Sequence, residues 1–238
     1  LDLAVRGKLV EQNPADEPAE ELLKRIAAER ARLVEAGEIK NSKIHSVASA
    51  DLPYSIPATW TWATLGAVGD WGAGSTPSRS NSELYGGDII WLKSGELRDR
   101  TDLKTAEETV TEKAVRTCSF RRNKPGDILI AMYGATIGKL AILADEAVTN
   151  QAVCGCTPFN GVYNRYLFLF LLAQRSAFQV LSEGGAQPNI SKVKIVGTAF
   201  PLPPLPEQHR IVAKVEELMA LLDRLETTRT QRETTRDR

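Results

Sequence analysis

Three hydrophobic rhythms follow one another along the chain. In "DEPAEELLKRIAAERARLVEAGE", residues 16–38, Leu22, Leu23, Ile26, Leu33 and Val34 fall on one helical stripe, and a stripe of that kind needs a partner. Pro18 suits the first turn, Asp16 and Glu17 suit the positive end of the helix dipole, and Gly37 suits its termination. Upstream, "LDLAVRG" reads as the last turns of another helix ending at Gly7.

From about residue 46 the rhythm shortens to apolar runs punctuated by Gly, Pro, Asn and Ser. "TWATLGAV" and "DIIWLKS" read as strands, "DILIAMY" and "KLAILAD" as a hairpin across "GATIG", residues 163–182 as one or two helices, and "KIVGTAFPL" as a returning strand. Strands and helices mix without regular alternation. That predicts an α+β class, a mixed sheet with helices packed on it, and not a doubly wound fold. After Pro206 there is no internal Gly or Pro, and Ile211, Val215, Leu218, Leu222 and Leu225 recur at spacings of four, three, four and three. Such a helix would run about 50 Å, longer than a compact domain needs. The pattern divides the chain into a helical segment 1–45, a globular domain 46–204 and a long helix 205–238.

The longest apolar run, "YLFLFLLA", is far short of the roughly 20 residues of a membrane span, so a buried helix is expected there. The chain opens on "LDLAVRGKLV" without Met and with early charges, which argues against a secretory signal, for a cytoplasmic protein and for a piece of something longer. Thirty basic and thirty acidic residues balance, so placement decides more than net charge. Within the globular domain the basic residues cluster as Arg116, Arg121, Arg122 and Lys124, and as Arg98, Arg100 and Lys104. Cys118, Cys154 and Cys156 make no CxxC pair, and His45 and His209 lie far apart, which disfavours a metal site. Cys154 and Cys156 sit two apart, on one face of a strand, as packing residues.

Catalytic motifs fail on spacing. "GATIGKL" has three residues between its glycines where a phosphate-binding loop needs four, and Leu140 stands where a hydroxyl belongs. "WGAGSTP" is interrupted by Pro77 where a dinucleotide-binding helix should begin, and no GxSxG elbow occurs. What remains is a set of loops, "SGEL", "YGATIGK", "TNQ" and "AQPNISK", whose Asn, Gln, Ser, Thr and Lys suit base edges or phosphates and equally suit ordinary turns.

Taken in order, several segments resemble the specificity subunits of type I restriction and modification enzymes. "LDLAVRGKLV" and "DEPAEELLKRIAAERARL" are similar to the family's N-terminal stretch, and "IPATWTWATLGAV" to the entry of a target recognition domain. "GSTPSRSNSELYGGDIIWLKSGEL", "KPGDILIAMYGATIGKLAI", "TNQAV" and "GGAQPNISKVKI" resemble its interior, and "PLPPLPEQHRIVAKVEELMALLDRLE" its exit into a conserved helix.

The resemblance implies a target recognition domain on helical arms that pair as an antiparallel coiled coil, set the distance between two DNA half-sites and dock modification subunits. One recognition domain stands where a full subunit has two, which implies a half-subunit that dimerises through its helices or one half of a longer chain. Adenine methylation and cleavage would belong to modification and restriction subunits, with no cofactor or metal in this chain. Consistently, FxGxG and [ND]PP[FY] motifs are absent, since "PLPP" lacks the polar first and aromatic last residue; "PLPPLP" reads as a stiff joint. The expected DNA contacts are Thr76, Lys93, Ser94, Glu96, Tyr133, Thr136, Lys139, Gln187, Asn189 and Lys192, with Arg121, Arg122 and Lys124 on phosphates. Trp60, Trp62, Gly86 and Gly87 are expected to serve packing and turns. The alternative is a helical interaction module whose globular domain binds protein.

Overall fold

The computed structural model describes residues 1–44, 52–182 and 188–236. His45, Gln187 and the rest of "GGAQ" lie outside the described residues. Helices α1 (Asp2–Val5) and α2 (Ala19–Glu35) precede the globular domain, and Gly7 and Gly37 both adopt positive φ where these helices end. Leu22 and Ile26 of the expected stripe are buried and Leu23 and Leu33 pack partly, all on the globular domain itself.

Strands β1 (Thr61–Thr64) and β10 (Ala199–Leu202) pair antiparallel as a two-stranded sheet at the domain's entry and exit. The principal sheet has five strands in the order β2 (Gly69–Ala73), β9 (Val153–Pro158), β6 (Ile128–Ala131), β7 (Leu140–Leu143) and β4 (Arg100–Leu103), with β4 parallel to β7 and the other pairs antiparallel. A third sheet sets β3 (Tyr85–Leu92) between antiparallel β5 (Glu108–Val110) and parallel β8 (Ala147–Thr149). These mixed sheets and the β6–β7 hairpin agree with the α+β expectation.

The apolar run of β6 is explained by cover on both faces. Ile128 and Ile130 join the larger core with Leu140, Ile142, Cys154 and Cys156, while Leu129 and Ala131 face a second cluster around Leu92, Leu97, Leu103 and Val153. The larger core is roofed by α5 (Asn164–Ala173) and α6 (Arg175–Ser182), which carry the buried Tyr166, Leu167, Phe170, Leu171 and Phe178. "YLFLFLLA" is therefore a core helix, and among the described residues no helix is long and apolar enough to cross a membrane. At Gly155 a Cβ would lie 2.0 Å from the side-chain oxygen of buried Asn123, so only glycine admits that crossing.

Cys154 and Cys156 share the face expected of them and are fully buried. Burial pushes the Cys154 thiol up to about 12 and Cys156 well above its usual range. A thiol reagent near neutral pH is expected to modify Cys118 alone in the native chain and all three after unfolding, as intact mass would show.

Two sequence expectations need correction. "TWATLGAV" is a strand only to Thr64; Leu65–Val68 forms the short helix α3, because the Leu65 N–H still bonds the Thr198 carbonyl in register but the Thr198 N–H turns to the Ile195 carbonyl, which ends the ladder there. "KIVGTAFPL" is a strand only from Ala199, because Ser191 accepts the Lys194 N–H and caps helix α7 (Lys192–Val196), with Gly197 at its end. A further short helix, α4 (Glu112–Thr117), is capped by Thr111.

The proline run ends in α8 (Leu205–Arg236). Its first turns are gripped by three parts of the molecule. Glu207, 1% exposed, accepts from Gln12 at 2.7 Å, and Arg210 pairs with Asp16 at 2.6 Å. Gln208 accepts the Tyr163 N–H at 2.7 Å and donates to the carbonyls of Gly161 and Pro203 at 3.0 and 3.1 Å. Ile211 and Val212 are buried, whereas Leu218, Leu222 and Leu225 further along the heptad face solvent.

Burial raises the Glu207 carboxyl above its ordinary 4.5, against the lowering influence of Trp60, Gln12 and Arg210 and with Asp16 adding to the rise. The folded state holds this proton more tightly than the unfolded state, so the group costs stability as pH climbs from about 4.5 through the raised value. Glu207→Gln keeps an acceptor for Gln12 and cannot ionise. Relative to the unsubstituted chain it should gain stability as pH rises from about 4 to about 7. Urea denaturation at both values checks this.

Candidate nucleic-acid interface

Backbone hydrogen bonds gather the polar loops at one end of the sheets. Beyond β6, Met132 N–H bonds the Ala152 carbonyl, Gly134 N–H bonds Pro188, Ile190 N–H bonds Met132, and Tyr133 and Asn189 form an isolated bridge. Asn150 N–H reaches the Leu92 carbonyl at 2.9 Å, and Ser75 N–H the Thr149 carbonyl at 2.9 Å. Segments 74–76, 93–96, 132–139, 149–152 and 188–191 thus make one continuous rim, although they come from five places in the sequence. Close approach makes it possible: a Cβ on Gly74 would lie 2.0 Å from the Thr149 carbonyl oxygen.

The rim holds Thr76, Lys93, Ser94, Glu96, Tyr133, Thr136, Lys139 and Asn189, but their side chains differ in what they have left to offer. Glu96 is spent as a brace: one carboxylate oxygen accepts the Lys93 N–H and the other the Glu107 N–H, each at 2.7 Å. The Thr136 hydroxyl donates back to the Tyr133 carbonyl at 2.8 Å. Lys93 pairs with Glu108 at 2.9 Å and Glu107 at 3.3 Å, and Lys139 with Asp99 at 3.3 Å. Thr76 donates to the side-chain oxygen of Gln151, leaving the Gln151 amide N–H groups outward. The side chains of Ser94, Tyr133 and Asn189 make no internal hydrogen bond among the described residues, and Tyr133 is 39% exposed.

Two residues that sequence reasoning passed over organise this rim. Arg79 makes a bidentate pair with Glu108 at 2.6 and 3.2 Å and lies over the rings of Tyr85 and Trp91. Arg79 and Lys93 together hold the Glu108 carboxyl down at about 2. Asp99, at φ 59°, accepts the Leu140 N–H at 3.1 Å and binds Arg175 and Lys139, fixing the turn that starts β7. Neither pairing has a local signal, since the partners are 29 and 76 residues away.

The basic cluster is at the other end. Asn123 exchanges backbone bonds with Ala147 at the start of β8, and Lys124 N–H reaches Asp127 just before β6. A strand's length therefore separates the backbone of this cluster from the rim, although the Arg121 side chain runs back along β2 to Gly72, two residues short of Gly74. Arg121 lies across Gly72, pairs with Asp70, and donates to the Asp70 carbonyl, Thr157 and Asn123. Arg122 pairs with Glu112 and Glu146. The Lys124 ammonium makes no hydrogen bond or close ion pair among the described residues, and it borders a 460 Å³ cleft beside Glu29 and Leu33 of α2. Lys192 reaches from α7 to the Trp71 carbonyl at 3.5 Å.

The resemblances to catalytic loops dissolve in three dimensions. Gly134–Thr136 is a single 3-10 turn and a strand follows it, so no helix dipole faces a phosphate. Gly86 takes a positive φ inside β3, at the register shift between Tyr85 and Ile89, a strand irregularity where a turn was expected, and a Cβ on Gly87 would meet the Val110 carbonyl at 2.6 Å, as close packing requires. Trp60 is buried and Trp62 meets Tyr54 at a tilt, with ring centroids 5.1 Å apart.

Residues 57–233 match the family model described as a type I restriction modification DNA specificity domain. The chain is 32% identical over 237 residues to the type I restriction enzyme EcoAI specificity subunit of Escherichia coli, covering 95% of this chain and 39% of that protein. It is 32% identical over 160 residues to the MjaIX specificity subunit of Methanocaldococcus jannaschii, covering 66% of this chain and 37% of that protein. The chain thus spans about two fifths of the length of these curated relatives. The HsdS subunit from Thermoanaerobacter tengcongensis superimposes with a TM-score of 0.58 at 21% identity, over 88% of this chain and 50% of that one, a likeness of fold. A family match over most of the chain, carried by motifs whose loops meet in one rim, has one reading: the chain belongs to the type I restriction-modification DNA specificity family.

Proposed function

We propose that this chain reads one half of a bipartite double-stranded DNA target and has no catalytic step of its own. The observation that carries the reading is the rim, where loops from five places in the sequence present hydroxyl, amide and ammonium groups together on a rigid sheet end in a chain of this family. In this reading Ser94, Tyr133, Asn189, Thr76 and the amide of Gln151 meet base edges, with Lys93, Thr136, Lys139 and Lys192 beside them. Glu96 supports the loop from within. Arg121 acts as a structural tie, and Lys124 is the member of its cluster with a free ammonium for a phosphate, Arg122 following if its carboxylates release it.

In this reading the cell holds the protein in the cytoplasm with modification and restriction subunits, which methylate adenine and cleave. The solvent-facing Leu218, Leu222 and Leu225 of α8 support an antiparallel coiled coil with a second recognition unit, either within a longer chain or in a second copy. Titration of the parent assembly with cognate duplex tests the function: affinity should fall roughly tenfold or more between about 50 and about 200 mM salt, with sequence preference retained. A flat salt response would favour a protein ligand for the globular domain.

A further inference from the structure

We infer that Gln12, Asp16, Glu207, Gln208 and Arg210 are positioning residues that set the direction in which α8 leaves the domain, and through it the spacing between half-sites that the assembly accepts. The inference rests on the DNA-recognition reading and adds to it where the spacing is set: at the root of the rod as well as along its length.

The grip is polar, buried and directional. Gln208 is fully buried and satisfies both ends of its amide on separate chain segments, the turn at Gly161 and Tyr163 and the proline run at Pro203, so rotation of α8 about its axis breaks hydrogen bonds on at least one side. Glu207 is tied to Gln12, whose own side-chain oxygen accepts the Thr59 hydroxyl at 2.9 Å. Asp16, its side chain 7% exposed, holds Arg210 one turn further on. The N-terminal segment and the 161–163 turn therefore fix two sides of the first turns, Thr59 bracing the former through Gln12, and His209 lies against Tyr163 with ring centroids 4.0 Å apart. Apolar packing alone, from Ile211 and Val212, would leave the helix free to roll.

Leverage makes the root matter. At 1.5 Å per residue the 32 residues of α8 span about 48 Å. A tilt of about 4° at the base moves the far end by about 3.4 Å, one base-pair step. Loss of one contact at the root thus has an effect of the size that separates one spacer length from the next.

The test uses the intact parent assembly and duplexes carrying both half-sites with the cognate spacer, or with one base pair more or fewer, and reads methylation. Gln12→Ala and Glu207→Ala are each expected to raise the ratio of off-length to cognate methylation about tenfold, with base preference inside the half-sites unchanged. Glu207→Gln, which keeps the acceptor for Gln12, is expected to restore the original ratio. Equal loss on all three spacers in both alanine variants would overturn the inference, since that is the signature of weakened folding alone. A shifted base preference with unaltered spacing would overturn it as well. If the unsubstituted assembly showed no sequence preference, the DNA-recognition reading itself would fall and take this one with it, an outcome distinct from either.

Discussion

Replacing Phe200 with alanine is expected to cost about 3–5 kcal/mol of folding stability, more than any other single change considered for this chain. The ring is fully buried on β10, edge-on to Phe170 at 4.9 Å and to Tyr166 at 5.8 Å. Those contacts join the two-stranded sheet to the helical roof, so truncation loses transfer free energy, two aromatic contacts and leaves a cavity walled by α5, which cannot collapse without dragging its other buried residues. Phe200→Leu, which fills most of the volume, should cost markedly less. Chemical denaturation of the two variants, with unchanged denaturant dependence, would establish the order; equal midpoints would show that the site collapses freely.

The second large effect separates two adjacent arginines. Arg121→Ala is expected to destabilise the chain by about 2–3 kcal/mol, while Arg122→Ala should stay within about 1 kcal/mol. Arg121 is 18% exposed at its side chain and Asp70 25%, so removing the guanidinium strands a largely buried carboxylate together with the Asn123 and Thr157 acceptors. Arg122 and its partners Glu112 and Glu146 are 41%, 55% and 51% exposed, where solvent already does most of what an ion pair does. The contrast bears on function too. If Arg121 contacted DNA phosphate, its loss would weaken binding at unchanged stability; a tie between β2 and β9 predicts lost stability first.

Much of the fold was legible because its signals are local. The β6–β7 hairpin, the buried α5, the joint at "PLPPLP" and the long α8 each follow from periodicity and from glycine or proline placement. The two misread strands show the limit. Leu65–Val68 and Lys192–Val196 are rich in the apolar and β-branched residues that favour strands, yet each turns helical because a neighbouring segment takes the backbone partner or a serine caps the turn. Ser191 followed by Gly197 was the available signal for the second. The site was legible as a set of loops and not as an arrangement. Nothing local says that Arg121 ties β2 to β9 of the five-stranded sheet while Lys93 follows β3 of the three-stranded one, or that Glu96 spends both oxygens on backbone.

The pairing of β1 with β10 has a consequence for how such proteins diversify. Thr61 faces Leu202 and Thr64 faces Ala199, so the chain enters and leaves the domain through a single gate two strands wide. The segment between Leu65 and Thr198 starts and ends at that gate and touches the helices outside it through Gly161 and Tyr163 on Gln208 and Asn160 on Glu29. A foreign segment of another length or sequence could take its place and leave the helices where they are, provided that it met the gate and those contacts.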